Sequence, residues 1–497
     1  MTDFSAPASN AGLIQENSFP VKLPIALTLA LLADWLFYDQ RIGISAVVFA
    51  IALTCGALLA NLTRLNKAHA LLAFALILTA LVPAIEEFNA ASFFFVVLAL
   101  GVGLSLSTNR KLTGIAEQAA ALCDLYLTGP FRLLGDAVRM FSLPALTAGF
   151  TVWFIPVLLG GIFVFLFASA NPLLEKWISL LNPGNTTSFV SLSRVGFWIA
   201  ALSLVWPFVH VRWRRKAEMT AEVAAAETIE QEKLDNAIDF FGVPTILRSL
   251  ILFNLLFAVQ TVLDVFFLWG NATLPADISY ASYAHRGAYP LILTALLAAG
   301  FVLIAMKPGG PAEQSKVIRP LVYLWVGQNV LLVASSILRL DLYVQIYLLT
   351  WWRVAAFIWM LLVAFGLLLI IARIRFNRPN EWLIRANLVT LTATLYVCSL
   401  VNFAAIIADY NVEHSREASG KGVAIDINYL FHLGPQALPA IDRAIALRGS
   451  DPNLVSRRNC LVEQQRKDVA SWRAWGFRSW RLQRTLDGQK SSPASQS

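Results

Sequence analysis

The stretch VAAFIWMLLVAFGLLLIIA, residues 354–372, runs without a single charge between Arg353 and Arg373. At about 1.5 Å of rise per residue, a helix of that length covers roughly 28 Å, close to the thickness of a bilayer's hydrocarbon core. It is one of a series. Runs free of Asp, Glu, Lys and Arg also occur at 42–63, 68–85, 88–109, 140–174, 195–211, 249–263, 287–306, 320–338 and 386–408. A further run, 23–38, is interrupted by Asp34. The 140–174 run holds Pro144, Pro156 and Pro172 and is too short for two spans plus a turn, so it counts as one kinked helix. The expected fold is therefore all-α, a polytopic transmembrane helix bundle of about eleven spans with a small, mainly helical C-terminal extramembrane tail.

Composition agrees. Of 497 residues, 57% are hydrophobic and 14% charged, with mean hydropathy +0.63. Soluble domains carry roughly a quarter charged residues. The net charge of +8 sits mostly between apolar runs, which reads as topology and gives no phosphate-binding surface, so no nucleic-acid partner is expected. The polar start, 1–20, has no basic n-region followed by a cleavage site, and the first apolar run is expected to be retained.

Lys and Arg in the loops set the orientation. With the N-terminus cytoplasmic, roughly eighteen basic residues fall inside, among them Arg64, Lys67, Arg110, Arg212, Lys316, Arg319, Arg373 and Arg378. Six fall in the outer loops: Arg41, Lys176, Arg194, Arg286, Arg339 and Arg353. An odd number of spans then places the tail outside. The expected organisation is a disordered cytoplasmic N-terminus (1–22), a four-span bundle (23–109), interfacial amphipathic helices (110–143), a seven-span bundle (144–408) with a cytoplasmic helical loop (212–241), and an extracytoplasmic tail (409–497). In the amphipathic segment Leu112, Ile115, Ala119, Leu122 and Tyr126 recur at helical spacing. In the tail, Trp472, Trp475, Phe477 and Trp480 alternate with Arg473, Arg478, Arg481 and Arg484, a pattern suited to docking on a membrane surface.

Familiar catalytic motifs are missing. The chain contains no GxxxxGK[ST], HExxH or GxSxG stretch, its five histidines are scattered, and its four cysteines form no CxxC pair. Neither a cofactor nor a metal is expected. What stands out is polarity within the later spans. Gln260 and Asp264 are four residues apart and share a helix face; Gln328, Ser335 and Arg339 form a second stripe; Asn387, Thr394, Cys398 and Asn402 form a third. Uncharged members of such stripes commonly join helices by hydrogen bonds, whereas intramembrane charge is costly and marks paired or functional sites. At the outer level of the eleven-span arrangement the chain brings Asp264, His285, Arg286, Arg339, Asp341, Arg353, Asn402, Asp409, Tyr410 and Asn411, with Asp426 and Tyr429 from the tail. These form the candidate outer-face polar cluster, suited to a ligand site or to holding the tail.

Several blocks resemble a known family. They are YASYAHRGAYPLILTALLAAGFVL (280–303), QNVLLVASSILRLDLYVQIYLLTWWRVAAFIWM (328–360), NFAAIIADYNVEHS (402–415), DINYLFHLGPQALPAID (426–442) and SWRAWGFRSWRL (471–482). Together they are similar to the bacterial multi-pass membrane proteins catalogued as domain of unknown function 4153/4173. That resemblance implies a bacterial cytoplasmic (inner) membrane location and a C-terminal segment that belongs to the architecture. It implies no activity. The pair Trp351–Trp352 before Arg353 departs from the family's usual pattern and carries no functional meaning here.

Three function classes fit these features: a non-catalytic envelope sensor or scaffold acting through the tail, a transporter or channel, and a membrane enzyme acting on a lipid-linked substrate at the outer face. The expected partners are the lipid bilayer and an envelope protein; the sequence leaves the oligomeric state open.

Overall fold

The computed structural model describes residues 19–62, 67–108, 115–140, 192–211, 243–269, 315–449 and 451–490, together with Leu297, Gly300 and Phe301. Among these, all regular structure is helical, and six helices are long and apolar enough to cross a membrane. They are His69–Glu86, Ala90–Thr108, Val243–Asp264, Ile318–Tyr347, Trp351–Arg375 and Asn380–Leu400. Ile44–Ala60 and Ser193–Val209 are apolar but shorter. Two of the eleven expected runs, 140–174 and most of 287–306, lie outside the described residues, as does the loop 212–241. The protein is an all-helical membrane protein.

The chain forms two compact units, one comprising Met1–Arg214 with Ser471–Gly476, the other Arg215–Ala470 with Phe477–Ser497. This division falls between Arg214 and Arg215, inside the 212–241 segment.

The first unit contains α1 (Phe19–Phe37), α2 (Ile44–Ala60), α3 (Lys67–Glu86), α4 (Ala90–Thr108), α5 (Ile115–Cys123), a π turn (Asp124–Thr128), α6 (Gly129–Met140) and α7 (Leu192–Val209). Polar side chains join its apolar helices. Asn61, fully buried at the end of α2, accepts from Lys22 Nζ at 3.5 Å and donates to the carbonyls of Phe208 (3.3 Å) and Val209 (3.2 Å). Asp34 pairs in two-pronged fashion with Arg194 of α7, at 2.9 Å through Nε and 2.5 Å through Nη2. Asp34 therefore sits in α1 as half of an ion pair that satisfies both charges. The segment expected to be amphipathic folds as α5, the π turn and α6. Ala121 and Leu125 point inward, Leu127 and Phe131 outward, and Trp206 of α7 donates to Asp136 at 3.0 Å.

The second unit begins with α8 (Val243–Asp264), which continues into a π turn (Val265–Trp269). Then come α9 (Ile318–Tyr347), α10 (Trp351–Arg375) and α11 (Asn380–Leu400). Their core is built on Leu250, Ile318, Val322, Trp325 and Met360. Asn254 meets the Leu321 carbonyl near the start of α9, and Asp264 meets Arg339 further on, so α8 and α9 run parallel. Arg319 at the start of α9 donates to the Ile374 carbonyl at the end of α10 (3.1 Å), so those two are antiparallel. The α9 helix extends 30 residues, to Tyr347, beyond the apolar run that ends at Leu338. Asp341 and Gln345 lie four apart within it and bond to each other, so the polar segment stays helical.

The α11 helix ends at Leu400, two residues before the third polar stripe would finish. Asn402 is not on that stripe. It is the N-cap of α12 (Phe403–Glu413), its side chain accepting from Ala405 N at 3.2 Å. From there the C-terminal part folds as α13 (Arg416–Ser419), α14 (Ile427–His432), α15 (Leu438–Arg448), α16 (Pro452–Ala470) and α17 (Phe477–Lys490). Ile407, Ala408, Leu430, Ala437, Ile441 and Ala444 make its core, and Leu438, Val462, Leu482 and Leu486 a second cluster. Such small, interlocked apolar residues allow short helices to close on one another.

A buried charge pair and a clamped link as the candidate functional site

Two groups of the expected polar residues assemble in the second unit. The first is a buried ion pair. Arg339 Nη2 contacts Asp264 Oδ1, and the two residues are only 4% and 2% exposed. Gln260, one turn earlier on α8, donates to the same oxygen at 2.9 Å. The other carboxylate oxygen, Oδ2, is buried without a hydrogen-bond partner among the described residues. Asp264 is the last residue before the π turn, and such turns concentrate at functional sites. That turn aims Trp269 at Ser335, on the Arg339 face of α9, at 3.3 Å.

Deeper along the same helix pair lies a set of uncharged polar groups. Asn254 donates to the carbonyls of Leu250 (2.7 Å) and Leu321 (3.1 Å), and Gln328 donates to the Asn254 carbonyl at 3.3 Å. Asn329 donates to Trp325 O at 2.8 Å. Among the described residues, the side-chain oxygens of Asn254, Gln328 and Asn329 and the Trp325 indole N–H have no partner. Buried amide oxygens without donors are costly.

The second group is the link between α9 and α10. Leu348 there has φ +63° and ψ −177°, a positive-φ conformation essentially restricted to glycine, which costs a bulky residue about 1–3 kcal/mol. Contacts from several directions hold it. Arg353 folds back to donate to the carbonyls of Tyr347 (2.6 Å) and Leu348, and its guanidinium lies 4.5 Å from the Tyr343 ring. Buried Asn411, from α12, engages Leu349 twice, accepting from its N–H at 2.7 Å and donating to its C=O at 2.9 Å. Tyr429, from α14, accepts from Trp351 N at 2.9 Å, and Asp426 caps α14 by accepting from Tyr429 N at 3.0 Å. Burial raises the Tyr429 phenol above its usual range. Burial also raises Tyr410, with the Asp341 carboxylate adding to the effect; Tyr410 stacks on His414 at 4.0 Å. At α11, Arg478 donates to the Leu400 carbonyl at 3.1 Å.

The remaining candidates play other parts. Asp409 pairs with Arg443 on the exposed tail surface, and Asn402 donates to Gln436 at 3.0 Å. Asn387 bonds within α11 and lies over Gly366 of α10, where an added Cβ would come 3.2 Å from its oxygen. Thr394 is half-buried. His285 and Arg286 lie outside the described residues. Among the described residues, no three His, Cys, Asp or Glu side chains converge on a point that could hold a metal ion. Asn254, Trp269, Asn329 and Arg478 were not among the candidates. Asn254 and Asn329 carried a legible signal, an amide within an apolar run, and Arg478 lay in the aromatic–Arg pattern of the tail.

The chain matches the family model for a domain of unknown function, DUF4153, over residues 73–444, three-quarters of its length. It belongs to that family. No curated protein and no solved structure matches it. The DUF4153 match takes in both groups just described, including Asn411 and Tyr429, and stops within α15, before α16 and α17. The family region thus includes the first part of the C-terminal helical assembly and the apolar helices from α3 onward, but not α1 or α2.

Proposed function

We propose that the protein is a non-catalytic sensor or scaffold of the bacterial cell envelope, residing in the cytoplasmic membrane and acting through an extracytoplasmic C-terminal domain fixed to its membrane helices. The observation that carries this reading is the double hydrogen bond between Asn411 and the Leu349 peptide, reinforced by Tyr429 on Trp351. A tail that merely followed the last span would have no need to pair with the backbone of a strained link between two earlier ones. Clamped in this way, a load or ligand on the tail reaches α9, and with it the Asp264–Arg339 pair, through contiguous bonds. The orientation is supported by Lys316, Arg319, Arg373, Arg375 and Arg378, which fall at the ends of α9 and α10 away from the tail.

A second reading, solute transport, is favoured by the unpartnered amide oxygens of Asn254, Gln328 and Asn329, the kind of groups that line a polar path. A deletion strain profiled for envelope stress, metabolites and lipids separates the two. The sensor reading requires altered envelope-stress output that Asn411→Leu reproduces at normal protein abundance. Altered accumulation of one solute, reproduced by Asn254→Leu and not by Asn411→Leu, would overturn it in favour of transport.

A further inference from the structure

On α1, Leu27, Leu31 and Trp35 follow one another at intervals of four and are all exposed, forming one apolar stripe along the helix. In a membrane protein such a stripe faces acyl chains. At its upper end the stripe meets the turn Trp472–Ala474, which belongs to the same compact unit. The Trp35 and Trp472 rings lie 5.6 Å apart, and the Arg473 guanidinium sits 4.8 Å from the first and 5.3 Å from the second. An Arg held against two indoles is positioned by its cation–π contacts and needs no carboxylate.

Nor does it have one. Among the described residues Arg473 makes no ion pair, and its Nε is buried without a hydrogen-bond partner. The turn that presents it is rigid. Ser471 accepts from Arg473 N at 3.3 Å, and Trp475 O accepts from Ile44 N at 2.8 Å. Gly43 lies so close that an added Cβ would be 2.4 Å from the Ala474 carbonyl carbon. An immobilised, uncompensated guanidinium at the head of a lipid-facing stripe, flanked by half-exposed tryptophans, has the chemistry of a headgroup site.

We propose that Trp35, Trp472 and Arg473 bind the phosphate of an anionic phospholipid whose acyl chain lies along Leu27 and Leu31. The test is native mass spectrometry of the full-length protein titrated with phosphatidylglycerol or phosphatidylcholine, with the soluble headgroup glycerophosphoglycerol as competitor. Wild type should retain phosphatidylglycerol preferentially. Arg473→Gln should weaken that retention about tenfold, the scale of a lost charge-assisted hydrogen bond. Arg473→Lys keeps the charge but not the two-pronged geometry and should weaken it severalfold; should Arg473→Gln fail to fold, this variant decides. Equal retention of the two lipids, or unchanged retention in the variants, overturns the proposal. Competition by the soluble headgroup as strong as by the lipid overturns it in favour of a free-phosphate site. A dimer whose interface covers Trp35 and excludes lipid overturns it in favour of self-association.

Discussion

Arg339→Ala removes one member of an ion pair that is almost entirely buried. Among the described residues, Asp264 would keep only Gln260 as a donor at 2.9 Å, with its second oxygen already unpartnered. Leaving an uncompensated charge in a buried setting costs about 3–5 kcal/mol, whereas replacing both partners by apolar residues of similar volume is often close to neutral. Arg339→Ala and Asp264→Ala should therefore each destabilise by about that amount, while Asp264→Leu with Arg339→Met should return to within about 1 kcal/mol of wild type. The measurement is a double-substitution cycle on detergent-solubilised protein, with folded fraction followed by size-exclusion chromatography across a denaturant series. Single substitutions costing less than about 1 kcal/mol, the range of solvated surface pairs, would refute the reasoning, because the pair would then be accessible to water. A double replacement that folds normally but abolishes the deletion-complementing activity would assign the pair to function and not to stability.

Other outcomes follow from the same geometry. Asn411→Leu strands the N–H and C=O of Leu349 and should cost about 2–3 kcal/mol, read as faster proteolysis within 402–450 and loss of hydrogen-exchange protection at Leu349. Gly43→Ala forces its Cβ against the Ala474 backbone and should release the Ser471–Gly476 segment, measured as new protease cleavage there with α2 unaffected. Tyr410 and Tyr429 have phenols raised above the ordinary value of 10.0, so their contribution is complete below pH 10 and lost as pH climbs through the higher folded values. Protease resistance of the tail should accordingly hold to about pH 10 and fall above it, and Tyr429→Phe should remove part of that dependence. Reporter fusions after Arg215, Arg378 and Asp451 should read inside, inside and outside; a cytoplasmic signal at Asp451 would break the odd number of spans.

The membrane class and the helical fold were legible in the sequence because lipid imposes a one-dimensional rule. A segment that crosses must be apolar for about 20 residues and must satisfy its own backbone, so length and composition suffice. The sharing of one helix face by Gln260 and Asp264 was also legible, since it depends only on helical period, and so was the placing of Gln328, Ser335 and Arg339 on a common stripe. Pairing across helices was not. Asp34 reads alone as a flaw in an apolar run, and its partner Arg194 lies 160 residues away. Asn402 fits a helical stripe by spacing, yet the helix stops at Leu400 and the amide becomes a cap, a choice made by how α12 packs on α15 through Ile407, Ala408 and Ile441. Asn411 was legible as a polar residue at the outer level, but its partner was not; the fold carries the Leu349 peptide to it. The aromatic–Arg run in the tail suggested a membrane surface along its whole length. The structure divides it, holding Trp472 and Arg473 against Trp35 and turning Arg478 to the Leu400 carbonyl. Local sequence sets period, hydropathy and capping chemistry, whereas partners distant in the chain are selected by packing, which only the folded chain defines.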